Sequence, residues 1–121
     1  MALPLSYYRR AIHRVIEQMP QLERRVVLFS DDPDWGKAHL KDSSWELEIA
    51  SGTPEEDLAV MAAMQALVIS NSSLSAIAAH LGESFGALQL VICPDQWLSD
   101  PSRKALGDLR KPSWLSLPIQ P

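Results

Sequence analysis

The chain has 121 residues, 46% of them apolar and 21% charged, with nine Pro, five Gly, four Trp and a single Cys. That length makes one domain, able to bury a core without metal or disulfide staples and too short for a two-domain enzyme. Fifteen acidic residues against eleven basic ones give a net charge of -4; the basic side chains are scattered among acidic ones, so the concentrated basic face that nucleic acid requires is missing. The lone Cys93 excludes an internal disulfide and any multi-thiolate metal site, and between Val91-Ile92 and Pro94 it reads as a core thiol.

Taken in chain order, Ser6 is placed to cap a first helix in which Tyr8, Ala11, Ile12, Val15, Ile16 and Met19 recur at helical spacing, and Pro20 ends it. Residues 25–30 hold Val26-Val27-Leu28-Phe29, a run suited to a strand covered on both faces, which stops in the acidic turn Asp31-Asp32-Pro33-Asp34. Trp35 to Leu40 makes a short helix at best. Trp45, Leu47 and Ile49 then alternate with Glu46 and Glu48, as in a half-exposed strand near a sheet edge. Thr53-Pro54-Glu55-Glu56 starts a helix that is expected to run to about Ala66. Leu67-Val68-Ile69 reads as a third strand, Ser70-Asn71-Ser72-Ser73-Leu74-Ser75 as a hydroxyl-rich lead into an apolar helix from Ala76 to Leu81, and Leu88 to Cys93 as a fourth strand after a turn at Gly82 to Gly86. The remainder is polar, Pro-rich and expected to be loose or short-helical.

Alternating helices and buried strands with short connections predict an α/β fold, a parallel Rossmann-like sheet of about four strands flanked by helices, over residues 1–98, with a polar tail over 99–121. Ligands of such sheets bind beyond the carboxyl ends of the strands, where the acidic turn and the Ser-rich segment both fall. The hydroxyls of Ser72, Ser73 and Ser75 beside a helix N-terminus suit a phosphate or serve as simple caps. Asp31, Asp32 and Asp34 could chelate a cation, accept two N–H bonds from a base such as guanine, or form a solvated turn. His13, His39 and His80 lack metal-ligand spacing, and the four Trp read as packing residues. The longest apolar stretch, residues 58–69, is broken by Gln65 and is too short to cross a bilayer; with no apolar leader, the chain is expected to be cytoplasmic, at most peripheral to a membrane.

Four stretches taken together carry a resemblance. Leu3-Pro4-Leu5-Ser6-Tyr7-Tyr8-Arg9-Arg10-Ala11-Ile12 looks like a family's helix start, Val27-Leu28-Phe29-Ser30-Asp31-Asp32-Pro33-Asp34-Trp35 like its F-S-D-D-x-x-W motif, Asp57-Leu58 through Ser70-Asn71-Ser72-Ser73-Leu74-Ser75 like D-x-x-L-M-S…I-x-S-N-S-T-F-S-W-W-G-A, and Val91-Ile92-Cys93-Pro94-Asp95-Gln96-Trp97 like V-x-x-P-x-x-W. Over most of residues 3–98 the chain thus resembles the C-terminal part of the α-1,2-fucosyltransferases, the family 11 glycosyltransferases. The resemblance implies the donor-binding half of a two-Rossmann-domain (GT-B type) enzyme, with GDP-fucose as donor, transfer to the 2-hydroxyl of a terminal galactose with inversion, and no metal or other cofactor. It implies Ser30, Asp31 and Asp32 at the guanosine end and Asn71, Ser72, Ser73, Leu74 and Ser75 around the diphosphate.

Two departures matter. The family's H-x-R-R-G-D motif and acceptor-binding domain are not among these 121 residues, and W-W-G-A is replaced by Ala76-Ile77-Ala78-Ala79. The expectation is a donor-binding domain that binds GDP or GDP-fucose, meets a galactose-terminated glycan only within a complete enzyme, is inactive alone with no catalytic residue of its own, and self-associates through exposed apolar faces at residues 45–49 and the first helix. One alternative is a receiver-like signalling domain, echoed by Asp31-Asp32 and Lys111-Pro112 but with Ser70-Asn71 where the phosphoacceptor Asp would stand; another is a non-catalytic interaction domain.

Overall fold

Pro4 begins the fold by fixing the direction of the chain into helix α1, Leu5–Gln18. The computed structural model describes residues 3–70, 72–97 and 108–119. Pro4, not Ser6, is the cap: its extended backbone precedes the helix, no side chain closes the first turn, and its carbonyl accepts the Tyr7 N–H at 3.1 Å. The helix buries Tyr7, Ala11 and Ile12, and Tyr8 is left half-buried. There follow β1 (Arg25–Leu28), α2 (Pro33–His39), β2 (Glu46–Ile49), α3 (Pro54–Ala62), β3 (Ala66–Val68), α4 (Ser73–Phe85), β4 (Leu90–Pro94) and β5 (Leu115–Leu117).

Local chemistry explains most of the boundaries. Thr53 and Glu56 form a reciprocal capping box at the start of α3, with Pro54 in its first turn. That helix stops at Ala62 rather than Ala66, because Ala66 is drawn into strand pairing opposite Leu90. Helix α4 starts earlier and ends later than its apolar residues suggest, from the Ser72 cap through Gly82 to Gly86. Gly82 is not a turn. A Cβ there would lie 3.0 Å from a Leu88 methyl and 3.1 Å from the Ala62 carbonyl oxygen, so the glycine lets α4 approach α3. Gly86 ends the helix in the left-handed region, with φ of 85°.

The strands are parallel, as predicted, but they form two sheets instead of one of about four strands. β1 pairs with β2, with Arg25 opposite Glu46, and β3, β4 and β5 form a second sheet in that order. Residues 115–117, whose composition suggests a loose tail, supply the third strand of the second sheet. Side chains far away in sequence hold that segment: Trp114 donates its indole N–H to Glu83 at 2.7 Å, Lys111 pairs with Glu83 at 3.2 Å, His80 Nε2 lies 2.7 Å from the Leu109 carbonyl, and Arg110 donates to the Pro94 carbonyl.

The alternation of β4 divides the core. Val91 and Cys93 point into a cluster with Met61, Leu67, Ile69, Ala76, Ala79 and Trp114, and Ile92 points into another with Leu3, Tyr7, Ala11 and Leu117. Cys93 is a core thiol, 3.6 Å from the Ser116 hydroxyl. Trp45 is buried and donates its indole N–H to the Leu40 carbonyl; among the described residues the large exposed apolar ones are Val60, Leu74, Ile77 and Phe85 on α3 and α4. Among the described residues, no helix is long and apolar enough to cross a membrane.

The Tyr7 hydroxyl donates to the Ile69 carbonyl at 2.6 Å inside this core. Tyr7→Phe leaves that carbonyl short of its partner and is expected to cost about 1–3 kcal/mol, measured as a lower urea midpoint. Burial pushes the Glu83 carboxyl up, but the hydrogen bonds from Trp114 and Lys111 outweigh it and hold the group below the usual range. A carboxylate lowered in the folded chain adds stability above its unfolded pKa, about 4.3, and that stability is lost as pH falls through the folded value. Acidification below about pH 4 should therefore loosen residues 108–119, giving a tryptophan-fluorescence change that Glu83→Gln no longer shows in that range.

Candidate functional site

Both sequence motifs open a helix directly after a parallel strand. After β1, the Ser30 hydroxyl accepts the Asp32 N–H at 3.0 Å, and Asp32 Oδ1 accepts the Trp35 N–H at 3.2 Å, so Asp32 is the N-cap of α2. Asp31 stands between them, exposed. After β3, the Ser72 hydroxyl accepts the Ser75 N–H at 3.3 Å and the Ser75 hydroxyl donates to the Ser72 carbonyl at 2.9 Å, which makes Ser72 the N-cap of α4. Ser73 is half-buried and Leu74 exposed; Asn71 lies outside the described residues.

A cavity of about 730 Å³ runs between β1 and β3, walled by Ile12 of α1 and by Val60 and Met61 of α3. Ser30, Ser70 and Ser75 also line it, so the end of β1 and the start of α4 share one cavity. Asp31, Asp32, Ser72, Ser73 and Leu74 are not lining residues; they adjoin Ser30 and Ser75 along the chain. Tyr8 and Trp35 line the cavity as well, their rings edge-on with centroids 6.0 Å apart. Helical spacing assigns Tyr8 to the core, and only the place of Trp35 after the acidic turn hinted that an aromatic pair belongs here. Burial raises the Tyr8 hydroxyl pKa.

Neither nearby guanidinium of α1 lines the cavity. Arg9 donates to the His39 carbonyl at 2.6 Å and pairs with Asp42 at 3.1 Å, and Arg10 reaches the Ser6 and Pro118 carbonyls. Lys111 is held by Glu83 on α4, not beside Asp31 and Asp32, so the lysine that a receiver-like site needs is engaged elsewhere. Among the described residues, no group of three or more His, Cys, Asp or Glu could hold a metal ion.

Parallel strands here feed capped helices at one cavity, and ligands of open parallel α/β sheets bind beyond the carboxyl ends of their strands. The family model for glycosyl transferase family 11 matches residues 4–117, nearly the whole chain and both motifs. The chain belongs to that glycosyltransferase family. The match extends through β5, past residue 98 where composition turns polar. Comparison with curated proteins and with solved structures returns no match.

Asp31 and Asp32 of the acidic turn differ in what they support. Asp32→Ala removes a helix cap and is expected to lower stability by about 1 kcal/mol, whereas Asp31→Ala, at an exposed position, should stay within about 0.5 kcal/mol of the parent. Thermal unfolding of the two variants checks the contrast.

Proposed function

We propose that this chain is the donor-binding part of a galactoside α-1,2-fucosyltransferase, holding GDP-fucose for transfer of fucose to the 2-hydroxyl of a terminal galactose. The observation that carries the reading is the meeting of Ser30 and Ser75 at one cavity in a chain of glycosyl transferase family 11. A helix N-terminus supplies N–H donors without intrahelical acceptors and about half a positive charge. Ser72 takes up the Ser75 N–H, so the amides of Ser73 and Leu74, with the Ser73 hydroxyl, are the donors assigned to the diphosphate. Asn71 belongs to the same segment. Asp32 is committed to capping α2, which assigns the guanine N1–H and N2–H to the Asp31 carboxylate, with Ser30 beside it. Binding of this kind needs no metal or other cofactor.

No catalytic residue is assigned. The 121 residues contain no H-x-R-R-G-D motif, and Arg9 and Arg10 are engaged by carbonyls and Asp42 away from the cavity. Loss of one fixed donor to a developing charge commonly costs about two to three orders of magnitude in rate. A galactose-terminated acceptor therefore meets this domain productively only within a complete enzyme. The exposed Leu74, Ile77 and Phe85 of α4 are the apolar face assigned to self-association, which sedimentation at high concentration would show as a dimer and a strict monomer would refute.

Calorimetry should show weak binding of GDP, preferred over ADP and unchanged by magnesium. Asp31→Asn is expected to erase the preference, and Ser72→Ala with Ser73→Ala to weaken GDP about tenfold or more, equivalent to at least about 1.4 kcal/mol. Equal affinity for GDP and ADP in the parent chain would remove the guanine role of Asp31. The purified 121-residue polypeptide should show no turnover of GDP-fucose onto lactose; turnover that the double serine variant abolishes would falsify the inactivity.

A further inference from the structure

Tyr8 carries a hydroxyl that the fold does not use. Tyr7, one residue earlier on α1, donates its phenol proton to the Ile69 carbonyl. The Tyr8 hydroxyl has no hydrogen-bond partner among the described residues, and burial alone pushes its pKa above the ordinary value. Among those residues no fully enclosed side-chain oxygen or nitrogen lacks a partner, so the Tyr8 oxygen is open to solvent, and Tyr8 belongs to the cavity wall. A phenylalanine here would make the same ring contacts without taking a polar group partly out of water, a cost that only a partner offsets.

The ring is held from two sides. Its centroid lies 5.2 Å from that of Tyr7 and 6.0 Å from that of Trp35, edge-on in both cases, with interplanar angles of 68° and 71°. Tyr7 is itself tied to the end of β3, and Trp35 is fixed in the first turn of α2, where Asp32 accepts its N–H. Tyr8 therefore stands between the two strand ends at which the candidate motifs begin: Ile69 directly precedes Ser70, and Trp35 lies four residues past Asp31. A phenol fixed in this way loses little freedom when it binds. The neighbouring hydroxyls are already engaged, since Ser75 donates to the Ser72 carbonyl and Ser30 accepts the Asp32 N–H.

We infer that the Tyr8 hydroxyl donates a hydrogen bond to a ribose hydroxyl oxygen of the bound nucleoside diphosphate. This rests on the donor-binding reading above, which gives the base to Asp31 and the diphosphate to the first turn of α4. The ribose joins base to diphosphate, and Tyr8 is the unspent polar group between those two places. Its pKa lies above the ordinary tyrosine value of about 10, so at neutral pH the phenol keeps its proton and acts as a donor rather than as an anion facing the diphosphate.

The test is calorimetry on the full chain, parent and Tyr8→Phe, with GDP, 2′,3′-dideoxy-GDP and GDP-fucose. The variant should keep the parent's thermal midpoint, because no internal hydrogen bond is lost, in contrast to Tyr7→Phe. It should bind GDP about three- to tenfold more weakly, the worth of one hydrogen bond. The parent should lose at least that factor on the dideoxy nucleotide, and the substitution should then cost nothing further, since the partner of the phenol is already gone. Equal weakening of GDP and the dideoxy nucleotide by the substitution moves the phenol to the base or the diphosphate and overturns the ribose assignment. A loss seen with GDP-fucose but not with GDP moves it to the transferred sugar and overturns it as well. Unchanged affinity for all three ligands overturns the role of Tyr8 and leaves the donor-binding reading standing; absence of GDP binding by the parent removes both. If the variant does not fold, the parent decides: a preference for GDP over the dideoxy nucleotide supports the proposal, and equal affinity for the two overturns it.

Discussion

The hydrogen bond from the Tyr7 hydroxyl to the Ile69 carbonyl ties the first helix to the end of a strand 62 residues away. The phenol is fully buried, and a buried hydroxyl without a partner is costly, so the position of α1 over β3 and β4 is set by the need to satisfy it. Burial, with smaller contributions from Cys93 and Tyr8, pushes the Tyr7 pKa well above its ordinary value and keeps the group a proton donor. Ile69 lies directly before the Ser-rich segment. The same bond that seats α1 therefore anchors the strand end from which the candidate site departs.

Fixing the buried face of α1 on the second sheet leaves the rest of the helix surface to hold the first. Arg9, Tyr8 and His13, themselves exposed or half-buried, do so through contacts with His39, Asp42, Trp35 and the buried Trp45. The two attachments differ in kind. One is an apolar cluster closed by a buried hydrogen bond; the other is an ion pair that solvent reaches and a set of ring contacts, which hold position with less energy. The cavity lies between the two units joined in this way, with Ser30 and Ser70 at the carboxyl ends of the two strands that line it.

The candidate site is made of helix caps. Ser72 and Asp32 each accept an N–H from the first turn of their helices, and the remaining first-turn N–H groups are what an anion would use. That shared chemistry is why a capping reading and a phosphate reading of the Ser-rich segment are compatible rather than exclusive. It also separates residues that look alike in the motif. Asp31 and Asp32 are neighbours of the same type, yet one closes a helix and the other faces solvent.

Local sequence determined the elements whose signals are local: the capped start of α3 at Thr53, the apolar runs of β1 and β4, and the order of strand and turn at both candidate motifs, whereas α2 begins at Pro33 rather than Trp35 because Asp32 of the acidic turn caps it. The tertiary structure alone decided which tyrosine is buried, because Tyr7 and Tyr8 differ by one helical step and the choice rests on whether a carbonyl from residue 69 is within reach. It alone made a strand of Leu115-Ser116-Leu117, too short and too ordinary to be read locally and held in place by Trp114 on Glu83, 31 residues away. It also decided that the parallel strands form two sheets with a cavity between them. Strand periodicity shows which faces of a strand are apolar, but the pairing of its edges depends on backbone groups that every residue carries, so no side-chain pattern records it.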